Sequence, residues 1–338
     1  MVRRADKKHA RKPEVKMSDR NFLQVLINQA KGNREQSYRA FYSSFLGGIT
    51  TAAHHMVIPL DDHMAHRGDA VFEAIKFTSS GIFALERHLD RLEVSRKNIH
   101  LELPFSRRKL ESVILSTVRA SGLEQGLIRL FLSRGEGGFT TNPYEPDTSR
   151  VMCAITTLSA PSSDKYLNGV HVGISKIAVK EGFFARTKTC NYLPNVLMKK
   201  EALDRGLDFM VSLDESGYLA EGSTENFAIF DRSGTFVIPK YDRILKGVTL
   251  VRAAELAKQA GFKVQQRDIR VSEIQSARAA IMLGTTIDIL PIGRMSLPGG
   301  VKRWKRPMES IPEVEKLSRL LQKDLAQGPL LRRFALTT

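Results

Sequence analysis

Lys188 lies in the stretch Arg186-Thr187-Lys188-Thr189-Cys190-Asn191-Tyr192-Leu193-Pro194-Asn195, and Ala220-Glu221-Gly222-Ser223-Thr224-Glu225-Asn226-Phe227 follows downstream. A lysine amine condenses with a carbonyl to give a Schiff base, provided that burial or nearby positive charge keeps part of it neutral. An aromatic hydroxyl close behind it and a carboxylate further on complete a set able to hold pyridoxal phosphate. The carboxylate of Glu221, beside the pyridine nitrogen, would keep that ring protonated and so able to act as an electron sink. A surface lysine in a basic loop is the ordinary reading for any one of 52 Lys and Arg residues. The company of Tyr192 and Glu221 sets Lys188 apart.

Such a cofactor also needs a phosphate site. Leu245-Lys246-Gly247-Val248-Thr249 directly precedes a helical pattern. A glycine there lets backbone come close, and the free N–H groups and dipole of the helix start face an anion. Thr249 adds a hydroxyl. Gly284-Thr285-Thr286 ends a buried strand and offers a second corner of that kind, and Arg91 in His88-Leu89-Asp90-Arg91-Leu92 can add a charge-assisted contact.

Two rival constellations carry less. His54, His55, His63 and His66 cluster, and His63-x-x-His66 has a metal-like spacing. No cysteine lies near and Asp61 and Asp62 are adjacent rather than interleaved, so no metal is expected. Cys190 lacks a His/Asn set, which makes it a packed thiol rather than a nucleophile.

The elements that must position these residues are mixed. Ser18-Asp19 caps a helix over 18–31, an addition preceding the main fold. Strands are expected at Phe41–Phe45, Ala70–Phe77 and, after the turn Ser79-Ser80-Gly81, Ile82–Leu85. A short extended piece is expected at Met56–Pro59. Helices at 87–98 and 106–121 follow, the second stopped by Gly122, then strands at Leu127–Ser133 and Val151–Leu158. Ser159–Asp164 reads as a linker. Beyond it come a strand at Val170–Ile177, a helix at 193–205, a meander from Phe209 to Ile238, a helix at 249–260, a buried strand at Ala279–Leu283 and a last amphipathic helix at 312–325. Two such blocks about a linker argue for an α/β (α+β) protein with a cleft between its halves. The expected division is a basic tail and extra helix over 1–40, a small α/β domain over 41–158, a linker over 159–166, a large cofactor-binding domain over 167–298, and a basic C-terminal extension with its helix over 299–338.

Composition excludes little but orients the rest. The 42% hydrophobic and 26% charged content is that of a soluble globular chain. No apolar run is long enough for a membrane span, and no apolar segment follows the basic N-terminus as a secretory signal would require. Only Cys153 and Cys190 are present, so a reducing cytoplasm is the expected location. Net charge is +16, with more than half of the excess in residues 1–16 and 299–338. Without aromatic interleaving or a nucleic-acid motif, these ends read as solvated tails, and nucleic acid is not an expected partner.

Five ordered blocks resemble the class IV, or fold-type IV, pyridoxal-phosphate aminotransferases. They are His66–Glu73, His88–Leu92, Lys188–Leu193, Glu221–Asn226, and Gly247-Val248-Thr249 with Gly284-Thr285-Thr286, within about residues 41–295. The resemblance implies that Lys188 carries the cofactor and shuttles the Cα proton, and that Tyr192 bonds the cofactor's phenolic oxygen. It implies that Glu221 pairs with the ring nitrogen, and that Arg91, Val248, Thr249 and Thr285, with Gly247 and Asn226 nearby, form the phosphate and cofactor site. Arg67, Arg129 and Thr286 are the implied substrate contacts. It further implies amino-acid and 2-oxo-acid substrates of the branched-chain or D-amino-acid type, and a homodimer whose neighbour partly closes the cleft. The Arg-x-His carboxylate trap of the well-known bacterial D-amino-acid enzymes is missing from Arg134–Thr141. Branched-chain enzymes share the arginine at Arg129 but usually carry Tyr at Arg67 and Arg at Lys76. The string Ser133-Arg134-Gly135-x-Gly137-Gly138 is similar to 4-amino-4-deoxychorismate lyases, so a lyase on the same site is the alternative activity. A basic nucleic-acid-binding protein is a more distant one.

Overall fold

The computed structural model describes residues 18–178, 180 and 182–334; the tail expected over residues 1–17 lies outside them, as do residues 335–338. The first half of the chain, joined by a short C-terminal strand, builds an antiparallel seven-stranded sheet. Its order is Leu331–Arg332, Gly81–Phe83, Ala70–Thr78, Gly126–Ser133, Arg150–Thr156, Tyr38–Ser43, Gly48–Thr50. Alternation along Ala70–Thr78 decides what each face does. Val71, Ile75 and Phe77 pack with Leu85, Leu89, Leu92, Ile114 and Val118 of the helices Leu85–Asn98 and Arg107–Ser121. Phe72 and Ala74 point the other way, into a cavity.

Local signals set the helix ends. Ser18 Oγ accepts from the Asn21 N–H at the start of Asp19–Ala30. Ser106 Oγ does the same for Lys109, and Gly122 closes that helix with φ 65°, a left-handed conformation in which glycine carries no Cβ penalty.

The second sheet is mixed, in the order Val264–Gln266, Phe236–Ile238, Asn226–Phe230, Ala279–Gly284, Asp288–Leu297, Val170–Ile174, Phe209–Val211, with Gly300–Arg303 beside Asp288–Leu297. Asn226–Phe230 is buried at every position, as a central apolar strand covered on both sides must be. The helix Val248–Gln259 packs on this sheet, and the C-terminal helix Pro312–Gln327 packs on Val248–Gln259 and on Asp288–Leu297. No helix among the described residues is long and apolar enough to cross a membrane.

Three local differences from the sequence reading have physical causes. Met56–Pro59 forms no strand; it follows the 3-10 turn Ala53–His55 and finds no ladder partner. The helix Ser163–Asn168 begins inside the expected linker, behind the extended N-cap position Ser162. The ten-residue strand Asp288–Leu297 is unanticipated, because Pro291 and Gly293 both read against a strand interior. Gly293 sits at the register shift between Ile292 and Arg294, where a Cβ would overlap the Asn168 carbonyl.

Candidate active site

Lys188 belongs by sequence to the second half but is held by the first. Its carbonyl accepts from the Phe72 N–H at 3.0 Å, and the Cys190 N–H donates to the Ala70 carbonyl at 2.9 Å. Its own N–H donates to Ser95 Oγ at 3.1 Å, on the helix Leu85–Asn98. Peptide bonding to the edge of the cavity thus aims the side chain inward, where it is only 9% exposed. Nζ lies 4.5 Å from the Phe72 ring centroid and 3.4 Å from the Tyr192 hydroxyl. Burial, reinforced by the positive charge of Arg91, pulls the lysine down to about 8. Tyr192 stands just before the helix Leu193–Asp204, its ring edge-on to Phe72 at 5.1 Å, and burial pushes its phenol up.

The cavity, about 330 Å³, lies between the two sheets. Phe72, Ala74, Arg91 and Arg129 line it from the first half; Lys188, Tyr192, Asn226, Gly247, Val248, Thr249, Thr285 and Thr286 line it from the second. Thr224, Leu245, Leu283 and Gly284 complete the wall. The sequence therefore placed nearly all of its chosen residues around one space. Glu221 stands behind the wall rather than in it, and Arg67 lies apart from it. Arg67 is exposed and donates to the Phe139 and Thr140 carbonyls at 2.6 and 3.3 Å.

Glu221 stands behind Asn226 and Leu245. It accepts from the Leu245 N–H at 3.1 Å and from Asn226 Nδ2 at 3.2 Å. Asn226 Nδ2 also donates to the Leu245 carbonyl at 2.9 Å, so this amide ties the carboxylate to the loop before the helix Val248–Gln259. Burial pushes the Glu221 carboxyl up to about 8, against the pull of the Leu245 N–H and the two lysines nearby. No ion pair reaches it among the described residues.

The opposite arrangement holds Arg91. Its Nε and Nη2 donate to Glu73 at 2.8 and 2.6 Å, and His88 Nδ1 lies 2.8 Å from the same carboxylate. Glu73 is fully buried; burial alone would raise it, but Arg91 and His88 outweigh that and hold it at about 2. Arg129 also faces the cavity. Burial lowers its affinity for a proton, and no hydrogen bond or ion pair engages it among the described residues.

These residues fit pyridoxal phosphate. A carboxyl held near 8 by desolvation lacks a cationic partner, and a protonated ring nitrogen supplies one. The start of the helix Val248–Gln259 opens on the cavity with Thr249 and Arg91 beside it, a ready anion site. Gly247 is required there, since a Cβ would overlap Asn226 Oδ1.

Sequence reasoning missed Lys180, whose Nζ lies 4.6 Å from the Tyr192 ring centroid and which burial pulls down. It also left out Glu73 as the anchor of Arg91. The His63 and His66 rings are 5.2 Å apart, yet no three metal-type ligands converge among the described residues. Burial pushes the Cys190 thiol up to about 12, a poor setting for a nucleophile.

A low-pKa lysine, a phenol beside it, an unneutralised carboxyl and a helix-start anion cradle define a pyridoxal-phosphate enzyme. Residues 70–295 match the Amino-transferase class IV family, and the chain belongs to it as a pyridoxal-phosphate-dependent transaminase. A chloroplastic D-amino-acid transaminase of Arabidopsis thaliana is 33% identical over 308 residues, covering 87% of this chain and 78% of that one. A branched-chain-amino-acid aminotransferase of Pseudomonas aeruginosa is 27% identical, covering 68% and 77%. Among solved structures, a branched-chain amino acid aminotransferase from T.th. with pyridoxamine 5'-phosphate superposes with a TM-score of 0.76 at 25% identity, covering 86% of this chain and 95% of that one.

Proposed function

We propose that this cavity transfers an amino group between an amino acid of the branched-chain or D-amino-acid type and a 2-oxo acid. The observation that carries the proposal is the convergence of Lys188, Tyr192 and Arg129 on one cavity backed by Glu221. Bound there, pyridoxal phosphate supplies an aldehyde with which amines condense and a ring that draws electrons from the substrate Cα. Lys188, near 8, holds a neutral fraction at physiological pH, so its Nζ can take the proton from Cα and give it back. The Tyr192 hydroxyl, 3.4 Å from Nζ, orients that amine and donates to an acceptor oxygen beside it. Glu221 holds a proton on the ring nitrogen, and Asn226 keeps Glu221 in place. Arg91, Gly247, Val248, Thr249 and Thr285 receive the phosphate. Arg129 and Thr286 receive the substrate carboxylate.

Arg67 keeps out of its own chain's cavity, which leaves it a substrate role only across the interface of a homodimer. The unpaired, buried state of Cys153 and the unpaired Cys190 accord with a reducing compartment, and we place the protein in the cytoplasm. The domain division proposed is 41–158 and 167–298 about the linker, with the extensions outside.

The lyase reading leans on the string Ser133-Arg134-Gly135-x-Gly137-Gly138, whose one cationic side chain is Arg134. That side chain donates to both Asp69 oxygens and to the Ile99 and His100 carbonyls, which leaves it engaged away from substrate. The test is purified enzyme with an amino donor and no 2-oxo acid, followed by its absorption spectrum across a panel of D- and L-amino acids. A transaminase stops after one turnover in the amine form and restarts when a 2-oxo acid is added. Continued turnover without acceptor refutes the assignment. In the same assay Arg129→Leu raises KM for the 2-oxo acid about 10- to 100-fold, the worth of a charged hydrogen bond, with a smaller change in kcat.

A further inference from the structure

The C-terminal helix lies beyond the matched residues 70–295, yet its buried polar side chains reach the elements that carry the cavity lining. Asp324 and Arg252 are 6% and 7% exposed and form a two-bond pair, Nε to Oδ2 at 2.7 Å and Nη2 to Oδ1 at 2.6 Å. Arg252 stands on the phosphate helix one turn past Thr249. Its third nitrogen, Nη1, donates to Glu255 Oε2 at 2.9 Å. Glu255 in turn accepts from Arg87 at 3.0 Å, and Arg87 precedes Arg91 by one turn on the helix Leu85–Asn98. The alternating charges Asp324, Arg252, Glu255 and Arg87 thus join the C-terminal helix to both helices that face the phosphate.

A second leg ends at the threonine corner. Gln322 Nε2 donates to Asp288 Oδ2 at 3.2 Å, while Lys76 Nζ donates to Asp288 Oδ1 at 2.5 Å. Asp288, with φ 53°, closes the turn that holds Thr285 and Thr286, and Lys76 extends the strand that carries Phe72 and Ala74. The segment then crosses to the first sheet. The Ala84 N–H donates to the Leu330 carbonyl at 2.8 Å, and Leu331 and Arg332 pair with Phe83 and Ile82. Gly328 leaves room for the arrangement, since a Cβ there would overlap Asp324 Oδ1.

We infer that Asp324 and Gln322 are positioning residues that set the spacing of the phosphate cradle. Without the Asp324 charge, Arg252 is a buried cation in need of a partner and draws Glu255 away from Arg87. The joint between the Thr249 helix and the Arg91 helix then loosens, although Asp324 touches neither cofactor nor substrate.

The test measures the binding of pyridoxal phosphate and of pyridoxal, which lacks the phosphate, to cofactor-free full-length protein. Wild-type binding of pyridoxal phosphate checks the cofactor site itself and is independent of this inference. Asp324→Asn is expected to weaken pyridoxal phosphate roughly tenfold and leave pyridoxal within about twofold, a coupling of ordinary size for a network partner. Asp324→Glu is expected to restore part of the loss. Equal weakening of both ligands, or a lowered melting temperature with both affinities unchanged, overturns the inference. Should Asp324→Asn fail to fold, Gln322→Leu, which removes a neutral and exposed group, is read the same way: selective loss for the phosphorylated ligand supports the role, and equal or no loss removes it.

Discussion

Two glutamates flank the same cavity in opposite states. Glu73 has its counter-charge built in: Arg91 and His88 hold it at about 2. Glu221 accepts only from neutral N–H groups and sits near 8. Both are carboxyls surrounded by protein, so burial alone does not separate them. The difference lies in who provides the positive partner. A residue whose charge is met by the chain braces the structure, whereas one whose charge is unmet in the bare protein is shaped for something that arrives later.

The contrast can be broken at four points. Lys188→Ala is expected to lower the transamination rate by about 10⁴-fold, the upper end for loss of a proton-transferring group, with the fold retained by circular dichroism. Glu221→Gln is expected to lower kcat roughly 100-fold, as for removal of one preorganised electrostatic contact. The cofactor-free protein gives this variant a second signature. A carboxyl raised from 4.5 to about 8 costs the folded state nothing below 4.5, where folded and unfolded chains both hold the proton. As pH climbs from 4.5 to 8 the unfolded chain releases it first, so stability falls. Glu221→Gln removes that slope. At pH 8 to 9 its cofactor-free melting temperature should exceed wild type by at least ~2 °C, about 1 kcal/mol in a protein of this size, and match it near pH 4.5. Equal slopes in both proteins would contradict an unmet charge at Glu221.

Glu73→Gln should behave in the reverse sense. It strands Arg91 without a full counter-charge, so denaturant titration of the cofactor-free protein should show a loss of about 3 kcal/mol. If it instead stabilises the bare protein, the two glutamates are not opposites. Tyr192→Phe is the mildest change, expected to cost roughly tenfold in kcat and little in stability, since the ring packing against Phe72 remains.

Much of the site was legible because its chemistry is short-range in sequence. Lys188 and Tyr192 fall in one short stretch, and Gly247-Val248-Thr249 marks a helix start that any reader of local signals can find. The mixed α/β class in two blocks followed from strand and helix periods, which depend on neighbours along the chain. What stayed hidden depends on residues far apart. Nothing near Asp324 announces Arg252, and nothing near Lys76 announces Asp288. Lys180 acquires its place only because the chain folds back over Tyr192. Pro291 and Gly293 concealed a strand whose irregularity is relieved by the close pass of Asn168 and Gly169. Arg67 was expected beside substrate, but backbone carbonyls of Phe139 and Thr140 hold it outside the cavity of its own chain.

The stitching of Lys188 to Ala70 and Phe72 reaches beyond catalysis. Because the reactive amine is cantilevered from a sheet that its own part of the chain does not build, the seam between the halves passes through the working centre. Neither half is a transplantable module. A chimera joining the front of one relative to the back of another would have to keep the strand edge at residues 70–72 in register with residues 188–190, or lose the aim of the lysine while keeping every side chain that recognition needs.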